Sequence, residues 1–255
     1  MDATQKQKVA VAGATGRVGR HIVDVLTERG HEVVPIARSR GVDVITGEGL
    51  AGALAGVDVI VDAATGPSPE EGPASEFFTT AARNLSEAGA AAGATRMVIV
   101  SIVGTDRFAG GYGAAKVAHE KAAEAGPLPV HVVRAAQFHE FVEQLVDWGT
   151  QGDVAYMGRM RTQAVAARSV AEVLADVATA PSLPPGPYTE VAGPQPEDLV
   201  ELARLLVARR GHPARVEGVG DPDDADQVMS ESGGLLPGPD AILVGPTFRE
   251  WLDAS

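Results

Sequence analysis

Short, unbroken apolar runs alternate with stretches whose apolar residues recur at helical spacing, and this rhythm fills the first half of the chain. Val9-Ala10-Val11-Ala12 is the first run, and it ends at Gly13. Val18 to Arg29 has apolar residues at Val18, Ile22, Val25 and Leu26, which predicts a helix that Gly30 stops. Glu32 to Ala37 is a second strand, and Val42 to Ile45 is a candidate third. A short helix over Leu50 to Ala55, a strand over Val57 to Val61 and an alanine-rich helix over Ser75 to Ala92 follow. Met97 to Val100 and Val130 to Val133 are further strands, with a helix over Gly113 to Ala125 between them.

Continuous apolar strands separated by helices imply a parallel sheet covered on both faces. Alternating in/out patterning, the mark of an antiparallel sandwich, is nearly missing. The expectation is an α/β fold with a doubly wound parallel sheet in residues 1–150. After that the pattern loosens. Helices are predicted over Ser169 to Thr179 and Leu199 to Arg210, with a hard break at the proline-rich stretch Pro181 to Pro187. Asp221 to Asp226 is an acidic turn, and Thr247 to Leu252 a last helical turn. Residues 151–255 are expected to form a small, mixed α/β C-terminal cap subdomain over the sheet's carboxyl edge, integrated with the first part.

Composition narrows the function classes. With 34 acidic and 21 basic residues the net charge is -13, and the basic residues are scattered. A nucleic-acid phosphate backbone calls for Lys/Arg stripes, so nucleic acid is not expected as a partner. Apolar residues make up 45% of the 255 positions, too many for a disordered chain. No run reaches the roughly 18 apolar residues of a membrane span. The opening Met1 to Lys8 has no apolar core after its charges, unlike a secretory signal. There is no cysteine, which fits a reducing cytoplasm and removes thiolate chemistry. The six histidines (21, 31, 119, 131, 139, 212) show no mutual i, i+3 or i, i+4 pairing, so no metal site is expected.

The strongest motif is Gly13-Ala14-Thr15-Gly16-Arg17-Val18-Gly19, between a strand and a helix. A pyrophosphate must approach backbone N–H groups at a helix N-terminus, where the helix dipole favours negative charge. Side chains beyond Cα would block that approach, and the last glycine lets helix and strand pack closely. Gly13, Thr15, Gly16, Arg17, Val18 and Gly19 are therefore candidate dinucleotide contacts. The second strand ends in Ile36-Ala37 and is followed by Arg38 and Arg40, with no acid at that edge. A cation there suits the 2′-phosphate of NADP, and a carboxylate would suit NAD, so NADP(H) is favoured. Arg17 could reach the same phosphate. The alternative is that Arg38 and Arg40 are merely solvated loop residues. Within Asp62-Ala63-Ala64-Thr65, Ala64 and Thr65 are candidates to line the cofactor.

Tyr112 and Lys116 lie four apart, on one face of a helix. A nearby ammonium lowers a phenol's pKa and makes it a usable general acid. Lys116 could also hold the nicotinamide ribose. Ser101, ending the preceding strand, could hydrogen-bond a substrate carbonyl.

With these motifs in order, the chain resembles the NmrA-like, atypical branch of the short-chain dehydrogenase/reductase superfamily. The resemblance is carried by Gly13 to Gly19, Val98 to Gly104, Tyr112 to Lys116, Val133 to Phe141, Gln163 to Ala166 with the helix after it, and Val191 to Pro194. It spans most of the chain and weakens after residue 211. It implies a Rossmann-type sheet, NADP(H) binding and a substrate cleft between sheet and cap. It also places Gln137, Phe138 and His139 along nicotinamide and substrate. The other reading makes Phe138 and Phe141 core anchors of a helix with Val142 and Leu145. The chain has Gly47-Glu48-Gly49-Leu50 where the family usually has Gly-Asp-Leu, so Glu48 takes that Asp's place as candidate adenine contact. Gly113 stands where many relatives have a second tyrosine.

The expected activity is NADPH-dependent reduction of a small carbonyl, quinone or similar electrophile. Tyr112 would give the proton, Lys116 would lower its pKa and Ser101 would polarise the carbonyl. The family also includes NADP(H)-sensing regulators that bind a protein partner without turnover. A third class, epimerases or dehydratases holding NAD, is opposed by Arg38. Related folds often pair through helices, which leaves a homodimer open, and the sequence does not fix the oligomeric state.

Overall fold

The computed structural model describes residues 6–254. In chain order its elements are β1 (Lys8–Ala12), α1 (Gly19–Glu28), β2 (Glu32–Ile36), α2 (Leu50–Ala53), β3 (Val59–Asp62), α3 (Glu71–Ala92), β4 (Arg96–Ile102), α4 (Gly111–Glu124) and β5 (Val130–Ala135). Then come α5 (His139–Gly149), β6 (Thr150–Gln151), β7 (Val154–Gly158), β8 (Arg161–Thr162), α6 (Ala167–Thr179), β9 (Tyr188–Ala192) and β10 (Glu197–Asp198). The chain closes with α7 (Leu199–Arg210), β11 (Arg215–Val219), α8 (Ala225–Glu231), β12 (Ile242–Leu243) and α9 (Phe248–Ala254).

Seven strands form one sheet in the order β12-β9-β5-β4-β3-β1-β2. The pairs β1–β2, β1–β3, β3–β4 and β12–β9 are parallel. This is the doubly wound Rossmann-type architecture. From β1 the chain first builds outward to β2 and then crosses back to β3 on the other side. Such a reversal leaves a crevice at the strands' carboxyl ends, the usual ligand position of open α/β sheets. The register sets Ala12 of β1 beside Asp62 of β3, so their exits are neighbours at that reversal.

The chain divides into two compact units, each discontinuous in sequence. One runs through Ser101 and adds Gly111–Val133 and Ala171–Thr189. The other holds Ile102–Gly110, Arg134–Val170 and the chain from Glu190 onward. These bounds differ from a division near residue 150, because parallel strands come together only through long crossovers. In the first unit Ile36, Leu54, Ile60, Leu85, Met97 and Ile99 form the core. The second has its own core, including Val142, Val146, Met157, Leu202, Leu206 and Phe248. A three-stranded sheet in the order β11-β7-β6 belongs to the second unit.

Two local expectations are corrected. Residues 42–45 form no strand; their backbone bonds go to the Ala37 and Glu48 carbonyls and to side chains. Asp43 Oδ1 accepts from Ile45 N at 2.7 Å, and Asn84 Nδ2 donates to the carbonyls of Val44 and Ile45, each at 2.9 Å. Val44 fills the core from a loop pinned to α3. Helix α3 starts at Glu71, ahead of the predicted Ser75. Pro73 then falls in its first turn, where a missing N–H costs nothing.

Candidate cofactor and catalytic site

The turn after β1 is held by its backbone. Gly13 N and Ala14 N both donate to Ile36 O, at 3.1 and 3.3 Å, and Gly16 N donates to Gly13 O at 2.8 Å. Gly13 has φ 73, the left-handed region. A Cβ there would lie 2.5 Å from the Ala63 carbonyl oxygen, and one on Gly19 would lie 2.0 Å from that of Gly13. Backbone fills both places. Helix α1 starts with no side chain capping it, so its first-turn N–H groups keep the partial positive charge of a helix start. Thr15 and Gly16 are exposed, Arg17 is half-buried, and the Val18 side chain is buried, leaving its backbone for any ligand.

The bonds to Ile36 also bring the end of β2 against the glycine turn. Arg38 to Arg40 forms a 3-10 turn there, with both arginines exposed. Among the described residues no carboxylate pairs with either. The residues present thus fit a nicotinamide dinucleotide: a glycine turn packed on backbone, an uncapped helix start and two accessible cations.

At the exit of β3 a buried polar chain runs inward. Asp62, 1% exposed, accepts from Ala64 N through Oδ1 at 2.9 Å. Its Oδ2 lies 3.0 Å from His119 Nε2. Lys116 Nζ lies 2.8 Å from His119 Nδ1 and donates to Val100 O at 2.6 Å. The Phe78 ring takes the third side, 4.2 Å from the ammonium, and stacks on His119 at 4.9 Å. Burial lowers the Lys116 pKa to about 8, with the Asp62 and Glu120 charges opposing it. His119 is lowered by burial and by the Lys116 charge. Burial alone would raise Asp62, but the His119 hydrogen bond, the Ala64 N–H and the Lys116 charge hold it below the usual carboxylate range.

Tyr112 is half-buried, edge-on to Phe78 at 5.7 Å. Burial raises its pKa, and a hydrogen bond with Thr65 works the other way. The expectation that Lys116 lowers the phenol is corrected here, because the ammonium points to Val100, His119 and Phe78. Ser101, 2% exposed, is the last residue but one of β4 and its hydroxyl has no hydrogen-bond partner.

Gln137, Phe138 and His139 lie in the second unit, where Phe138 bridges Val165 and the first two are half-buried. His139 is 0% exposed, edge-on to Phe248 at 5.3 Å and tilted on Trp251 at 5.4 Å. It is a core residue and not an open substrate contact. Burial pushes its pKa from 6.5 to about 4, partly opposed by the Ala164 backbone. A depressed pKa contributes stability that is complete above 6.5 and lost as pH falls through about 4. The loss is on the order of 3 kcal/mol. Thermal unfolding of the parent chain should therefore weaken more steeply over that range than that of His139→Leu. Equal slopes would reject the assignment.

Two members of the site escape sequence reasoning. Asp62 is a lone carboxylate ending an apolar strand, and His119 follows Lys116 by three, a same-face spacing on a helix. Histidine-to-histidine spacing does not detect either. Among the described residues no cluster of metal-ligating side chains occurs, and no helix is long and apolar enough to cross a membrane.

Residues 13–181 match a family described as NAD(P)H-binding. No curated protein matches the sequence. MoeE5 in complex with UDP-glucose and NAD is similar with a TM-score of 0.71, at 19% identity over 96% of both chains. The NADPH-dependent quinone oxidoreductase of Escherichia coli, complexed with NADPH, gives 0.69 at 18%, over 96% of this chain and 99% of that one. The triphenylmethane reductase of Citrobacter sp., complexed with NADP(H), gives 0.66 at 17%, over 97% and 99%. At these identities the likeness is one of fold.

Proposed function

The chain belongs to the NAD(P)H-binding family that its residues 13–181 match, and from that premise we propose that it is an NADPH-dependent reductase of a small carbonyl, quinone or similar electrophile. The observation that carries this reading is the glycine turn at the sheet's reversal, where Gly13 and Gly19 pack on backbone with no room for a Cβ and an uncapped helix start follows. Arg38 and Arg40 support NADPH over NADH, since no carboxylate stands at that edge to meet a ribose 2′-hydroxyl. The segments Gly13 to Gly19 and Tyr112 to Lys116 support the NmrA-like branch.

When bound, the reduced nicotinamide supplies a hydride. The chain's own residues supply the rest. The Gly13–Gly19 backbone and Arg38 hold the phosphates. Ala64 and Thr65 line the wall at the exit of β3. Ser101 Oγ–H donates to the substrate oxygen, a partner its buried hydroxyl otherwise lacks. Tyr112 Oη–H gives its proton to the oxygen that gains charge; burial raises its pKa, so the phenol is protonated at neutral pH but is a weaker acid than one beside a free ammonium.

Calorimetry with NADPH and NADH, followed by loss of reduced-nicotinamide absorbance across a panel of quinones and aldehydes, tests this directly. Saturable NADPH binding and turnover of at least one electrophile are expected. No binding of either coenzyme rejects it. Arg38→Glu should weaken NADPH by roughly 10- to 100-fold, the range of one charged hydrogen-bonded contact, and leave NADH nearly unchanged. An equal loss for both would show that Arg38 does not read the 2′-phosphate.

One observation favours a second reading. All three directions of the Lys116 ammonium are taken within the protein. A chain using its glycine turn without phenol chemistry would be an NADP(H) sensor: tight, redox-selective binding and no turnover with any electrophile in the panel.

A further inference from the structure

We propose that His119 is a positioning residue: it bridges Asp62 to Lys116 on its own helix and thereby pins α4, which carries Tyr112, to the carboxyl end of β3, beside the Lys116 bond to Val100 of β4. The direction of the bridge follows from its chemistry. An ammonium has three donors and no lone pair, so Lys116 must donate. His119 Nδ1, 2.8 Å away, must accept, and the ring proton therefore sits on Nε2, donating to Asp62 Oδ2 at 3.0 Å. The histidine is neutral and held in one tautomer by a carboxylate on one side and a cation on the other.

The bridge reaches the site through Asp62. Its other oxygen takes Ala64 N and so shapes the turn after β3. That turn carries Ala63, whose carbonyl walls Gly13, and Thr65, which bonds Tyr112. One histidine thus ties the glycine turn, the phenol and the lysine together. Asp62, His119 and Lys116 are 1%, 1% and 6% exposed, so water cannot readily replace a lost partner. The charged groups facing the ring are Asp62 from β3 and Lys116 and Glu120 from α4 itself; α3 presents Phe78, and Lys116 in turn donates to the Val100 carbonyl of β4.

The functional half of this inference rests on the dinucleotide reading, and the structural half does not. In the full 15N-labelled chain, NMR should show the His119 ring as the Nε2–H tautomer, protonating only below the ordinary imidazole range. The other tautomer, or a midpoint near the ordinary 6.5, overturns the bridge. NADPH titrations of His119→Gln and His119→Leu then test its consequence. Glutamine keeps an acceptor for Lys116 and a donor for Asp62, so affinity should stay within about threefold. Leucine keeps neither and should lose about tenfold or more. Its affinity should also fall at lower pH, because Lys116 loses an acceptor for its charge. Equal affinity and equal pH dependence in both variants overturn the positioning role. If His119→Leu does not fold, a large loss in the glutamine variant overturns it instead. A parent chain that binds no NADPH defeats the reductase reading, while the tautomer result still decides the bridge.

Discussion

Tyr112→Phe should cut turnover by about 100-fold or more and leave NADPH affinity nearly unchanged. General acids typically contribute 10²–10⁴ in rate, and this substitution removes one O–H group and nothing else. The ring would keep its edge contact with Phe78. The Thr65 hydroxyl loses one partner at a position open enough to find water. Burial raises the phenol pKa, so a proton is present throughout the neutral range. The parent's rate should therefore show no loss of the acid near neutrality. Steady-state kinetics with saturating NADPH measure the effect. Unaltered turnover rejects Tyr112 as the proton donor, and the sensor reading would gain.

Gly19→Ala should abolish measurable NADPH binding and destabilise the fold. The added Cβ would sit 2.0 Å from the Gly13 carbonyl oxygen and 2.7 Å from its carbon. Both atoms are backbone, so no side-chain rotation relieves the clash. The turn must open or α1 must move away from β1, and either displaces the N–H groups that would meet a diphosphate. Overpacking of this kind costs about 1–3 kcal/mol or more. Gly52→Ala is the control: nothing lies within 4 Å of its Cβ and it sits within α2. That change should stabilise by about 0.5–1 kcal/mol and leave binding alone. Calorimetry and thermal unfolding of both variants read the contrast. Normal NADPH affinity in a folded Gly19→Ala chain would show that the turn is not the phosphate seat.

Unequal parts of the fold and site were legible beforehand. Strands β1, β3, β4 and β5 were visible as apolar runs, because a strand covered on both faces needs no polar alternation. The Val42 to Ile45 stretch has the same apolar look and is a loop, since the Ala37 and Glu48 carbonyls and the Asp43 and Asn84 side chains satisfy its backbone. The spacing sets Lys116 on one helix face with Tyr112, yet its ammonium turns toward His119 and Val100. Spacing places a side chain on a face and says nothing of which buried acceptor its tip will reach. His139 shows the same gap: its neighbours Phe248 and Trp251 are over a hundred positions away along the chain.

Local order along the chain was enough to specify the parallel sheet and the glycine turn, because strand composition, glycine placement and helix spacing are properties of neighbouring residues. The Asp62–His119–Lys116 chain, the burial of His139 and the make-up of the two compact units came from long-range packing. Burial and desolvation depend on which distant segments meet, and that information resides in no short stretch of residues.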